Sequence, residues 1–197
     1  MKRVLFAVAL MIALCSLASA SITEGTPSPN LNPVFGTWVN FDDVAAGNPV
    51  VSNHYLGVGV SSVADANNQL YYFDGTQSLP NYVGTGPGVG WAMDTTITLV
   101  NPTSQIGIGL AGPGTVTLAV FDASGASIES YTFPFLSNDY YYFTEGSSDI
   151  KSLEITSSFI AIDDLQFYPG SSVPEPSTIL MMVSGLGSLA FARFRRS

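Results

Sequence analysis

The chain has 197 residues with six basic and fifteen acidic side chains, a formal charge of −9. Between its two ends, residues 21–172 hold one lysine and fourteen acids, a formal charge of −13. A body with so little positive charge has nothing to set against phosphates, which excludes nucleic acid as a partner and anionic lipid as a direct docking surface for the body. The length of the body is that of one domain with a sizeable core.

Residues 1–20 read as a secretory signal peptide with a helical apolar segment. Lys2 and Arg3 form the charged start, residues 4–17 the apolar stretch, and Ala18-Ser19-Ala20 the small-residue cleavage site. Cleavage after Ala20 is expected, with Sec-type export machinery and signal peptidase as partners. A lipoprotein alternative at Cys15 is disfavoured because Leu14 before it is not small. With Cys15 removed, the mature chain has no cysteine and no disulfide.

Residues 21–33 contain Pro27, Pro29 and Pro33 among polar residues and read as an extended linker. Residues 34–168 form the domain. Residues 35–41 (FGTWVNF) and 55–63 (YLGVGVSSV) alternate as strands, and 69–73 (QLYYF) form a short aromatic one. Residues 74–90 read as the longest loop. Its glycines have neither the dinucleotide-binding spacing nor a following Walker lysine.

Residues 95–100, 105–110 and 115–121 are strands with Ile97 and Leu99, then Ile106, Ile108 and Leu110, then Val116, Leu118 and Val120 on the core face. Asn101-Pro102-Thr103-Ser104 and Gly112-Pro113-Gly114 read as the turns between them. Residues 127–133, 140–143, 150–156 and 159–168 are the remaining strands, with 134–139 a loop and 169–172 a linker. Short strands spaced by turn signals, in a composition rich in Gly, Ser, Thr, Val, Ile, Tyr and Phe, give an all-β class: an antiparallel β-sandwich, read as a jelly roll. An immunoglobulin-like sandwich is the alternative.

The last 25 residues, 173–197, read VPEPSTILMMVSGLGSLAFARFRRS. Pro174 and Pro176 keep their neighbours extended. Residues 178–192 are uncharged and suit a short transmembrane helix. Their 15 residues span about 22 Å as a helix, short of a bilayer core of about 30 Å. Arg193, Arg195 and Arg196 stop transfer and hold the end in the cytoplasm. The tail resembles the PEP-CTERM sorting signal of exported bacterial proteins, carried by Val173, Pro174, Glu175, Pro176 and Ser177, the apolar run and the arginines. That resemblance implies handling by an exosortase, transient anchoring in the cytoplasmic membrane, and a final place at the cell surface or outside it. It also implies a setting of exopolysaccharide and biofilm.

The body offers little chemistry. His54 is the one histidine. Ser52 and Asp42 could complete a triad, but their spacing does not mark them out. One histidine without cysteine does not make a zinc site. The acids include no recognisable glycosidase pair, so no enzyme is expected; a small secreted hydrolase is the least favoured reading. Tyr71, Tyr72, Tyr82, Trp91, Tyr140, Tyr141 and Tyr142 are candidates for stacking on polysaccharide, since neighbours in a strand face opposite ways. Two readings follow: an exported structural or adhesive surface protein, or a carbohydrate-binding module. Two acid pairs, Asp42-Asp43 and Asp163-Asp164, stand at the first and last strands of the domain. The body weakly resembles the calcium-containing jelly-roll carbohydrate-binding modules, which implies a structural Ca2+ held by Asp43 and Asp164, with Asp42 and Asp163 as substitutes. The alternative is that both pairs are solvated strand ends.

Overall fold

The computed structural model of the chain describes residues 21–25, 36–66, 69–74, 81–85, 93–135, 139–157 and 160–168. The expected signal peptide, Trp91 and the whole sorting tail, including Val173, Pro174, Glu175, Pro176, Ser177, Arg193, Arg195 and Arg196, lie outside the described residues. Among the described residues no helix is long and apolar enough to cross a membrane.

Twelve strands are described: β1 (Ser21–Gly25), β2 (Thr37–Val39), β3 (Val60–Asp65), β4 (Leu70–Asp74), β5 (Asn81–Thr85), β6 (Met93–Thr103), β7 (Gln105–Ala111), β8 (Gly114–Phe121), β9 (Ser127–Phe135), β10 (Asp139–Thr144), β11 (Ile150–Ser157) and β12 (Ala161–Phe167). They form two antiparallel sheets. One runs β1-β10-β7-β12-β5-β4, with β2 also paired to β12; the other runs β3-β6-β11-β8-β9. The alternation expected from the sequence holds in the centre. Ile97, Leu99, Ile106, Ile108, Leu110, Val116, Leu118 and Val120 are all buried in one core with Leu153, Ile155, Ile162 and Leu165. Each such side chain contributes about 1.5–3 kcal/mol by leaving water, and this burial holds the two sheets face to face.

Several segments depart from the sequence reading. Residues 21–25 are not linker: they add β1 to the edge of β10, with Ile22 as the one apolar side chain turned to the core. One isoleucine in a polar run gives no periodicity to read. Residues 56–58 are a 3-10 turn instead of strand, ended by Gly59 at φ 104, and Leu56 and Val58 are 54% and 48% exposed. Within the expected loop 74–90, β5 pairs with both β4 and β12, although Pro80 and Gly84 read as turn residues. β6 runs through the expected turn at Pro102. Its pairing with β11 jumps from Ser152↔Thr98 to Ile150↔Thr103, so Pro102 falls where the ladder asks for no donor. Likewise Pro134 is accommodated in β9, an edge strand.

Candidate functional site

β12 changes partner half-way along one side. Ile162 pairs with Val83 of β5, while Leu165, Gln166 and Phe167 pair with Val39, Trp38 and Thr37 of β2. The two partner strands therefore meet beside Asp163-Asp164, and the chain leaving β2 there is Phe41-Asp42-Asp43. Phe41 turns the chain with φ 56 and is fully buried. Asp42 then closes the junction: one carboxylate oxygen accepts the Asn81 amide N–H at 2.8 Å and the other accepts Asn40 Nδ2 at 2.6 Å. Asn81 Nδ2 in turn donates to Val44 O at 2.9 Å. A carboxylate that receives the first amide of β5 fixes where that strand begins.

Asp43 turns the other way. Its Oδ2 meets His54 Nε2 at 2.8 Å, and its Oδ1 accepts the Tyr55 hydroxyl at 2.8 Å. The Tyr72 hydroxyl donates to Tyr55 Oη at 3.2 Å, so a hydrogen-bonded chain runs from an accessible imidazole to a buried ring. Burial pushes the Asp43 carboxyl up, but the hydrogen bonds of Tyr55 and His54 and the charge of His54 outweigh it and hold it below its ordinary value. Burial, then Tyr72 and Asp43, push the Tyr55 hydroxyl far up, so it stays a donor. The partner of His54 is thus Asp43 and not the Asp42 of the sequence-level triad.

Asp163 and Asp164 are fully buried, which corrects their reading as solvated strand ends. The pairing of β12 with β7 shifts between Asp163↔Gly109 and Gln166↔Gly107, and the extra residue is Asp164, at φ 50. This is a bulge with a left-handed residue. Asp163 Oδ1 accepts the Asp164 amide at 2.8 Å, and Asp164 Oδ1 accepts Trp38 Nε1–H at 2.9 Å. The acids hold the bulge and tie β2 to it. Asp43 and Asp164, the pair expected to share a calcium ion, make hydrogen bonds to different residues, Asp43 to His54 and Tyr55 and Asp164 to Trp38. Among the described residues no group of three or more His, Cys, Asp or Glu is arranged to hold a metal.

The aromatic candidates divide as well. Tyr72 and Tyr140 are buried, and Tyr82 is buried and stacked on Phe73 with centroids 5.5 Å apart, so these three rings present no face to a sugar. Tyr71, Tyr141 and Tyr142 are half-buried. Tyr71 bridges to Pro49. Tyr141 packs against Phe133 at 4.6 Å, and Tyr142 lies 6.5 Å from Tyr140. The open edge of the sandwich, between β9 of one sheet and β10 and β1 of the other, carries a groove of about 380 Å³ lined by Ile22, Tyr131, Thr132, Phe133, Pro134 and Tyr141. Of these the sequence reading singled out Tyr141 alone. The alternation Tyr131, Phe133 on a Pro-containing strand was the available signal for the rest.

No curated protein matches the chain. Among solved structures, the enzymatically active domain of tailspike protein 4 from bacteriophage CBA120 aligns with 50% of the chain at 13% identity and a TM-score of 0.34. The aligned part is 17% of that protein's length. Residues 172–196 match the family model of the PEP-CTERM protein-sorting motif, so the chain carries an export-sorting tail of the kind an exosortase handles.

Proposed function

We propose that the protein is a non-catalytic component of the cell surface or extracellular matrix, exported, processed by an exosortase, and structural or adhesive in exopolysaccharide. The sorting motif at residues 172–196 carries this reading. The body is read as a jelly roll of β5 to β12. Support comes from the strand orders, in which β5-β12-β7-β10 in one sheet faces β6-β11-β8-β9 in the other. Apart from the β8–β9 hairpin, consecutive strands thus alternate between sheets, as a rolled-up pair of Greek keys requires. In a host with an exosortase, the tail should be lost near Glu175-Pro176. Mass spectrometry of the surface-located protein checks this; Arg196-Ser197 still attached to most molecules would contradict it.

A second reading, polysaccharide binding by the body, is favoured by the edge groove. Tyr131 is 37% exposed and stands beside Phe133 and Tyr141, a ring-lined trough open to solvent. With a body charge of −13, a neutral or cationic glycan fits better than a polyanionic one. The exported protein should be retarded in native gels cast with a neutral glucan and not with alginate, and Tyr131→Ala should weaken the retardation several-fold. Equal mobility of the two proteins in glucan would remove the groove from this role.

A further inference from the structure

Next to the strand segments that line the groove, the chain carries two carboxylates, Glu129 on β9 and Glu145 just after β10. Across the open edge, β9 and β10 face each other as a ladder of side chains. Phe133 stands against Tyr141 at 4.6 Å and Tyr131 against Phe143 at 6.3 Å. Two residues back on β9 and two residues on from Phe143, the same ladder reaches Glu129 and Glu145. Glu129 accepts the Tyr131 hydroxyl with Oε1, while its Oε2 is buried without a hydrogen-bond partner. Glu145 is 7% exposed, and its Oε1 also has none. Burial, followed by the charges of Glu129 and of Asp149 in the turn before β11, pushes the Glu145 carboxyl above its ordinary range. Two neighbouring acids with orphaned buried oxygens fit a cationic donor.

β1 indicates which one. It runs antiparallel along β10 with Ser21 opposite Thr144 and Ile22 opposite Phe143. The amino side of Ser21 therefore lies toward Glu145. Ser21 is also the residue expected to become the N-terminus once residues 1–20 are removed.

We propose that the α-ammonium group of Ser21, created by removal of the signal peptide, docks on Glu145 and Glu129, so that processing locks β1 onto the body. The proposal rests on the export reading and on cleavage after Ala20. In the precursor the same nitrogen is an amide with one N–H and no charge; after cleavage it carries three donors and a full positive charge. A divalent ion fits less well, because Glu129, Glu145 and Asp149 are not arranged as a metal group among the described residues. The lone lysine of the mature chain, Lys151, donates to Val100 O at 2.7 Å. The lock has a purpose in the fold: β1 is an edge strand, and its loss would bare the backbone of β10 to other chains.

The test is a thermal-unfolding cycle on the exported protein. N-terminal sequencing comes first: a start other than Ser21 overturns the cleavage reading, and this proposal with it. With Ser21 established, wild type and Glu145→Gln are compared with free and acetylated α-amine, Lys151 being the one other amine to control for. Acetylation should lower the wild-type Tm by about 2–4 °C and move Glu145→Gln much less, since only Glu129 then remains to hold the ammonium. Glu145→Gln should raise the Tm of the acetylated form, where it relieves repulsion with Glu129 and Asp149, and lower it in the free form. Glu129→Gln gives the same pattern more weakly and serves if the first variant does not fold. The free-amine advantage should be full below the unfolded α-amine pKa of about 7.7 while Glu145 and Glu129 stay ionised, and vanish as pH rises through the raised folded value. Equal effects of acetylation on wild type and variants would overturn the proposal. So would a Tm that EDTA lowers in wild type and not in Glu145→Gln, which would give the site to a divalent cation.

Discussion

Gly107→Ala is expected to destabilise the protein by about 3 kcal/mol, the upper range for an overpacked interior. Gly107 lies on β7 beneath the ring of Tyr140, which reaches over it from β10. A β-carbon there would stand 2.2 Å from Tyr140 Oη, 2.7 Å from Cζ and 2.9 Å from Cε1. Those are not contacts a small rotation relieves, because Tyr140 is fully buried. The cost is steric, since the backbone of Gly107 is not in the left-handed region. Tyr140→Phe supplies the control. Its hydroxyl is buried without a hydrogen-bond partner, and burial, then Asp164 and Tyr142, hold it un-ionised. Removing that oxygen should therefore be neutral or stabilising on its own. Combined with Gly107→Ala it removes the 2.2 Å clash and leaves the 2.7 Å one, so the double variant should recover part of the loss. Chemical denaturation of the four proteins checks this; a Gly107→Ala variant within about 0.5 kcal/mol of wild type would mean that Tyr140 does not cover β7 in this way.

The same ring shows what the sequence could and could not tell. Period-two alternation located the central strands because Ile106, Ile108 and Leu110 face a core while Gly107 and Gly109 face away from it. It also implied that Tyr140 and Tyr142 share a face opposite Tyr141. It could not say that the face away from the core buries Tyr140 too, because that follows from the room left by Gly107 on a strand that is distant in sequence. The tail was legible for the opposite reason. A signature of Pro-Glu-Pro, apolar run and arginines is local and compositional and requires no tertiary partner. β5 was hidden because Pro80 and Gly84 are turn residues by propensity, and its place was decided by pairing with β12. The acid pairs were visible as pairs, but their roles were not. Asp42 serves a strand start 39 residues away in the chain, and Asp163-Asp164 serve a bulge whose existence depends on the register with β7.

That bulge is where the second large effect is expected. Asp164 has φ 50 and bridges two elements through Trp38, whose indole N–H it accepts at 2.9 Å. Left-handed backbone costs an ordinary side chain about 1–2 kcal/mol, but asparagine and aspartate less and glycine almost nothing. Loss of the indole's acceptor adds about 1–3 kcal/mol where the group cannot regain water. Trp38 is 49% exposed, so the smaller figure applies to it. The three substitutions at this position therefore separate the two contributions. Asp164→Asn keeps both the tolerated backbone and an acceptor oxygen and should be the mildest. Asp164→Gly keeps the backbone and loses the acceptor, and should cost about 1 kcal/mol plus the packing of the lost side chain. Asp164→Ala loses both and should cost about 3 kcal/mol. Trp38→Phe removes the donor instead; placed on the Asp164→Ala background it should add almost nothing, because the bond it would break is already gone. Denaturant midpoints of the exported protein give the order directly. If alanine proves no worse than glycine, the left-handed turn at Asp164 is not what the residue is kept for. If asparagine proves as damaging as alanine, the negative charge itself is required, and a cation must then be sought beside β12.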